Sequence, residues 1–187
     1  MPFTLLYDRL AIYDSLLTML GIYAIYFSIK MATNPSLGLA QLGGYAIGLA
    51  TITKSSGIFF LYLLPFSLLT SNKQFIRKNF LTWIGLSLVT LLVSQAIYNS
   101  LRLSPLFYII ARKNMEFIRS PMEVLKDPFA HFGSNFTSII SWLFTYLSPP
   151  LFLLFLVSII IIIYKKNLKG LYLLVLIVAP FTAELLF

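Results

Sequence analysis

Six stretches of this sequence are apolar over roughly the length that crosses a lipid bilayer, and that leaves few folds open. A spanning helix needs about 20 mostly apolar residues, within a range of roughly 17–25. The stretches run over 14–31, 37–53, 56–69, 80–98, 151–164 and 170–187. Only 11% of the residues are charged, against roughly 25% in a soluble domain, which is too few to cover a water-facing surface. The mean hydropathy of +0.88 agrees. In hydrocarbon every backbone N–H and C=O must be satisfied internally, which helices do within a single segment. The expected fold class is an all-α polytopic membrane protein of about six transmembrane helices, forming one unit over residues 1–187. Its expected place is an integral, multi-pass position in a bacterial or archaeal plasma membrane.

Local signals punctuate these stretches. Asp14 or Ser15 can cap the first helix by accepting an orphan backbone N–H. Asn34-Pro35-Ser36 ends that helix in a short turn. Gly44 and Gly48 form a GxxxG pair, which lets a neighbouring helix approach closely. Pro65 predicts a kink in the third helix, whose shortness suits the interior of a bundle. Ser148 is a candidate cap, and Pro149-Pro150 fall in the first turn, where a missing N–H costs little.

The connection over 99–147 is expected to be a long extracytoplasmic loop carrying short interfacial helices. Ser120-Pro121-Met122-Glu123 reads as a capping box, and Asp127-Pro128 would stop that helix. Further on, Phe136, Ile139, Ile140, Leu143, Phe144 and Leu147 recur at helical spacing, with Thr137, Ser138, Ser141 and Thr145 on the other face. That pattern is an amphipathic helix suited to the membrane surface. No repeat or low-complexity segment interrupts the chain. No secretory signal opens it, and it stops within an apolar run at Leu185-Leu186-Phe187, so a portion of a longer protein is expected.

Charge sorts by side. Alternating spans put Lys30, Lys73, Arg77, Lys78, Lys165, Lys166 and Lys169 at one membrane face with no acid among them. The other face receives Arg9, Lys54, Arg102, Arg112, Lys113, Arg119 and Lys126, with all six acids: Asp8, Asp14, Glu116, Glu123, Asp127 and Glu184. Dense Lys/Arg in short loops marks the cytoplasmic face, so the acids are expected outside. Gathering titratable groups at one edge favours a site at an interface over midplane groups that line a transport path.

With no cysteine, disulfides and thiolate metal sites are excluded, and a single histidine, His131, excludes a multi-histidine cage. The net charge of +8 would suggest nucleic acid for a soluble chain. In a membrane protein it is better read as basic loops on anionic headgroups, and nucleic acid is not an expected partner.

Three constellations can carry chemistry. Asp8, Arg9 and Asp14 precede and open the first helix. Their carboxylates suit proton transfer from an acceptor hydroxyl or a divalent cation such as Mg or Mn, and arginine grips phosphate bidentately. The plain structural account is a helix cap at Asp14 and an interface anchor at Arg9. Lys54 sits in a tight turn between helices, with hydroxyls and Gly57 around it, on the face where a lone lysine runs against the charge trend. It can hold a lipid phosphate, or simply snorkel to headgroups. Arg102, Arg112, Lys113, Asn114 and His131 lie among aromatics in the long connection. They suit a phosphate, sugar hydroxyls or an acceptor, or, more plainly, anionic lipid.

The order Arg9-Leu10-Ala11-x-x-Asp14-Ser15 before one helix, then Gly48-Leu49-Ala50-x-x-Thr53-Lys54 at the end of the next, resembles integral-membrane glycosyltransferases of the protein O-mannosyltransferase and aminoarabinose transferase type, the GT-C fold. Arg102-Leu103-Ser104-Pro105, Arg112-Lys113-Asn114 and Trp142-Leu143-Phe144-Thr145-Tyr146 look like bacterial members of that group. The resemblance implies transfer of a sugar from a polyprenyl-phosphate donor to a protein, lipid or glycan acceptor at the outer membrane face. It places Asp14 at the family's second acidic motif, with a metal or acceptor to orient, Arg9 at the arginine before it, and Lys54 facing the carrier phosphate. The family's principal carboxylate falls in an outer loop that this chain does not contain.

The alternatives are a transporter or flippase for a polyprenyl-linked lipid, and a non-catalytic membrane subunit. Because the chain has no cysteine, single-cysteine variants test the sidedness without background. Asp14→Cys and Lys54→Cys should react with an impermeant maleimide from one side of sealed vesicles, and Arg77→Cys from the other.

Overall fold

The structure, a computed structural model, describes residues 13–109, 112, 122, 127, 132–165 and 168–186. These residues are helical, with no strand among them. The chain divides into two compact units, Met1–Phe107 and Tyr108–Phe187.

In the first unit, α1 (Tyr13–Thr33) and α2 (Leu37–Thr53) are joined at Asn34–Ser36. The Ser36 hydroxyl caps α2 by accepting from the Leu39 N–H at 3.3 Å. Next comes a broken segment: a 3-10 turn (Ser55–Ile58), the short α3 (Phe59–Leu63) and a second 3-10 stretch (Leu64–Thr70). The α conformation gives way one residue before Pro65, whose ring excludes a regular helical hydrogen bond. The kink expected there is a change of helix type. α4 (Lys73–Asn99) follows, closed by a 3-10 turn at Ser100–Leu103.

Glycine sets the spacing between α2 and α4. A Cβ on Gly44 would lie 2.7 Å from Val93 Cβ and 2.9 Å from the Thr90 carbonyl oxygen, and one on Gly48 would lie 2.8 Å from Ile97 Cβ. The expected close approach at the GxxxG pair is therefore made, and α4 is the helix that makes it. At this spacing the Thr90 hydroxyl crosses between helices and donates to the Ala40 carbonyl at 3.0 Å. Ala40, Gly44 and Gly48 meet Thr90, Val93 and Ile97 in ascending order, so α2 and α4 run parallel. α1 runs antiparallel to both.

Packing is inverted relative to a soluble bundle. The buried positions are mostly small or hydroxylic: Ala24, Ala32, Ala40, Ala46, Ala50, Ser28, Thr51, Thr90 and Ser94. Large apolar side chains point outward, with Leu81 at 81% and Leu92 at 68% exposure. Small residues allow close helix contact where lipid removes any hydrophobic drive between helices. Two compact clusters anchor the unit: Met31, Ala32, Ala40, Leu64 and Trp83 in one, Ala24, Ala46 and Ile47 in the other.

In the second unit, α5 (Phe132–Tyr164) is bent by 114° between Phe132–Thr145 and Ser148–Tyr164. Ser148 holds φ 61°, ψ 152°, and is the only non-glycine residue with positive φ among the described residues. The following proline demands the extended ψ, and Pro149 and Pro150 occupy the first turn of the second limb, as expected. α6 (Leu168–Leu186) packs on that limb where Gly170 meets the Ile162 side chain.

The sequence expectations need three corrections. Tyr13–Thr33 and Ile76–Leu103 are long and apolar enough to cross a membrane, and the bent α5 pair makes a third if it counts as one span. That is two or three, where about six were expected. The breaks at Lys54–Ser55 and Pro65 keep Leu37–Thr53 and Ser55–Thr70 shorter, as Leu168–Ala179 is. Next, Lys73, Arg77 and Lys78 lie in the opening turns of α4, not in a loop, because lysine, glutamine and arginine are good helix formers that extend it beyond its apolar core. Lastly, the 99–147 connection is not one long loop. Ser100–Leu103 is 3-10, and the amphipathic helix expected from Phe136 starts at Phe132 and continues into α5. Of the capping-box stretch only Met122 and Asp127 are described.

Gly44→Ala should lower stability by about 1–3 kcal/mol through overpacking, read from unfolding of the micellar protein by denaturing detergent. Gly38→Ala, which meets nothing within 4 Å, should be neutral or raise stability by up to about 1 kcal/mol through helix propensity.

Candidate functional site

Two of the residues singled out from sequence meet. The Lys54 Nζ donates to Asp14 Oδ1 at 2.7 Å, across a separation of forty residues. The local fold explains both positions. Asp14 lies in the first turn of α1. Lys54 terminates α2 in extended backbone at φ −155°, ψ 138°, its N–H bonded to the Ala50 carbonyl at 3.0 Å. Its own carbonyl accepts from the Gly57 N–H at 2.8 Å, closing the turn. Gly57 then rests directly on the backbone of Ala50 and Thr51, where no Cβ fits. Around the turn, the Thr51 and Thr53 hydroxyls donate to the carbonyls of Ile47 and Leu49, each at 2.8 Å.

The electrostatics of the pair favour this arrangement twice. A carboxylate at a helix N-terminus and an ammonium at a helix C-terminus each oppose the local macrodipole, worth roughly 0.3–1 kcal/mol apiece. Asp14 and Lys54 hold those positions on α1 and α2. The side chains remain half exposed, Lys54 at 45% and Asp14 at 50%. An exposed ion pair contributes only about 0–1 kcal/mol, so the pair does little to hold the fold. One ammonium N–H serves Asp14, which leaves two donors for an anion.

Arg102 lies at the same end of the unit, in the 3-10 turn that closes α4, since α4 runs parallel to α2. Its guanidinium sits 5.7 Å from the centre of the Phe107 ring, and that ring meets Tyr98 edge to face at 6.4 Å. At the opposite end, Lys30 closes α1 and Arg77 and Lys78 open α4. Within the first unit, the basic end and the end with mixed charge are therefore separate.

Arg112 is exposed and belongs to the second unit. Asp8, Arg9, Lys113, Asn114 and His131 lie outside the described residues. The fit of a divalent metal at Asp14 is poor on the groups described. No cluster of three His, Cys, Asp or Glu gathers among the described residues, and the ammonium of Lys54 competes for the same carboxylate lone pairs. Mg or Mn would need several further oxygen donors.

The sequence pointed to Asp14 and Lys54 separately, but not to the contact between them. It also missed the part played by Gly57, for which the only local signal was a small residue just past a helix break.

Comparison with protein-family models, with curated proteins and with solved structures finds no match.

Asp14→Asn and Lys54→Met should each change stability by less than about 1 kcal/mol, whereas Gly57→Val should cost about 1–3 kcal/mol by overpacking the turn. Unfolding midpoints of the three purified variants in one detergent check the ranking.

Proposed function

We propose that this chain is part of the membrane domain of a glycosyltransferase that takes its sugar from a polyprenyl-phosphate donor, with the site at the outer membrane face. The observation that carries the reading is the 2.7 Å contact between Lys54 and Asp14. It brings together, at one end of the bundle, the two motifs whose order resembles the GT-C enzymes. The shorter apolar helices share the bilayer with the longer ones in this reading. A helix of 17 residues, such as α2, is about 25 Å long, close to the roughly 30 Å hydrocarbon core.

The chemistry follows from the charges. The acceptor hydroxyl oxygen attacks the anomeric carbon, the bond from that carbon to the phosphate oxygen breaks, and its electron pair leaves with the polyprenyl phosphate. The largest developing charge is on that phosphate, and donors already in place stabilise it best. Lys54 supplies such donors, and Arg9 is the second cation that the resemblance offers for the same phosphate. A phosphate arriving at Lys54 competes with Asp14 for the ammonium. The released carboxylate is then free to orient the acceptor, and Asp8 is the second candidate to receive its proton. Arg102 stands at the same end to meet donor or acceptor. The resemblance implies that the principal base belongs to an outer loop of the intact enzyme.

A sugar-transfer assay in proteoliposomes, using the full-length gene product and a radiolabelled polyprenyl-phosphate hexose or aminopentose, tests this. Lys54→Ala should reduce transfer by at least about 100-fold, the scale of losing a transition-state donor. Asp14→Ala should reduce it with the donor still bound. Full activity in both variants would remove the assignment. Movement of the intact lipid-linked sugar across the bilayer without transfer would point to the flippase reading instead.

A further inference from the structure

We infer that an ordered water molecule is bound inside the first unit beside the Pro65 break, held by the Ser67 hydroxyl, the Trp83 indole N–H and the Ser87 hydroxyl. These three atoms are buried and have no hydrogen-bond partner, the only ones of their kind among the described residues. Ser67 is 0% exposed and Trp83 6%. A buried polar atom without a partner is costly, and Trp83 and Ser87, one turn apart on α4, share that cost with Ser67.

The orphaning is local. Other buried hydroxyls of the unit reach a backbone carbonyl: Ser28 that of Ala24, Thr51 that of Ile47, Thr90 that of Leu86, Ser94 that of Leu91. Ser67 differs: in the 3-10 stretch that follows Pro65 the Thr70 hydroxyl reaches the Ser67 carbonyl at 2.7 Å, whereas the Ser67 hydroxyl itself reaches none.

A shared site agrees with the register of the two elements. In a 3-10 helix residues three apart eclipse, so Ser67 stands over Leu64. Leu64 packs in the same cluster as Trp83. Ser87 follows Trp83 by one turn on the same face of α4. The donor and acceptor count also closes. An indole N–H only donates and a hydroxyl does either, so a water can accept from Trp83 and donate to both serines. Buried waters make about three such bonds. Proline breaks in membrane helices are tolerated where ordered waters satisfy the polar groups that the break leaves unpaired.

Trp83 reports on this site directly. The chain has two tryptophans, so the full chain carrying Trp142→Phe, in nanodiscs, isolates its signal. The expected result is an indole N–H Raman band of the hydrogen-bonded type. Ser67→Ala and Ser87→Ala should each move that band towards the free-indole position, shift the fluorescence to the blue, and lower the melting temperature. A Raman and emission signature unchanged by Ser67→Ala overturns the shared site, whether the indole is bonded elsewhere or to nothing. So does a melting temperature for Ser67→Ala at or above that of its parent, since removing a hydroxyl that truly has no partner relieves a cost.

Discussion

The close approach of α2 to α4 governs the first unit. With Gly44 and Gly48 at the contact, the two backbones come near enough for Thr90 to donate to the Ala40 carbonyl and for Val93 and Ile97 to fill the space a side chain would take. Between helices apolar enough to lie in lipid, burial of apolar surface offers no gain there, and contact area and interhelical hydrogen bonds provide it. Once α4 is set parallel to α2, its closing turn with Arg102 stands at the same end as Lys54. Once α1 is set antiparallel, Asp14 stands there too.

The same economy appears in the polar groups. The Ser28, Thr51, Thr90 and Ser94 hydroxyls on α1, α2 and α4 bond to carbonyls of their own helices, and Ser71 reaches across to the Ala32 carbonyl. Ser67, in the 3-10 stretch after Pro65, and Trp83 and Ser87 on α4 are left without such a partner.

The Asp14–Lys54 pair belongs to another category. It is half exposed, lies at helix ends whose dipoles favour each charge, and contributes little to stability. Its neutral sum lets an anionic headgroup approach without repulsion, and its ammonium keeps donors to spare.

Much of the first unit was legible in the sequence because its signals are local. Apolar run lengths, the Asn34-Pro35-Ser36 turn, the change at Pro65 and the glycine pair each act through a few bonds of backbone. Hydrophobicity was a poorer guide to where α4 begins, since Lys73, Arg77 and Lys78 are helical without being apolar, and to the bilayer-spanning lengths, which the helix breaks shorten. What tertiary structure alone decided is partnership. The sequence placed Asp14 and Lys54 on one membrane face. Their meeting at 2.7 Å depends on the rotation and crossing of two helices, set by Gly57 lying against the Ala50 backbone and Gly21 beneath the Phe60 ring. Rotation about a helix axis leaves no trace in a pattern of apolar residues when the buried face is made of alanine, glycine and serine and the large side chains point outward.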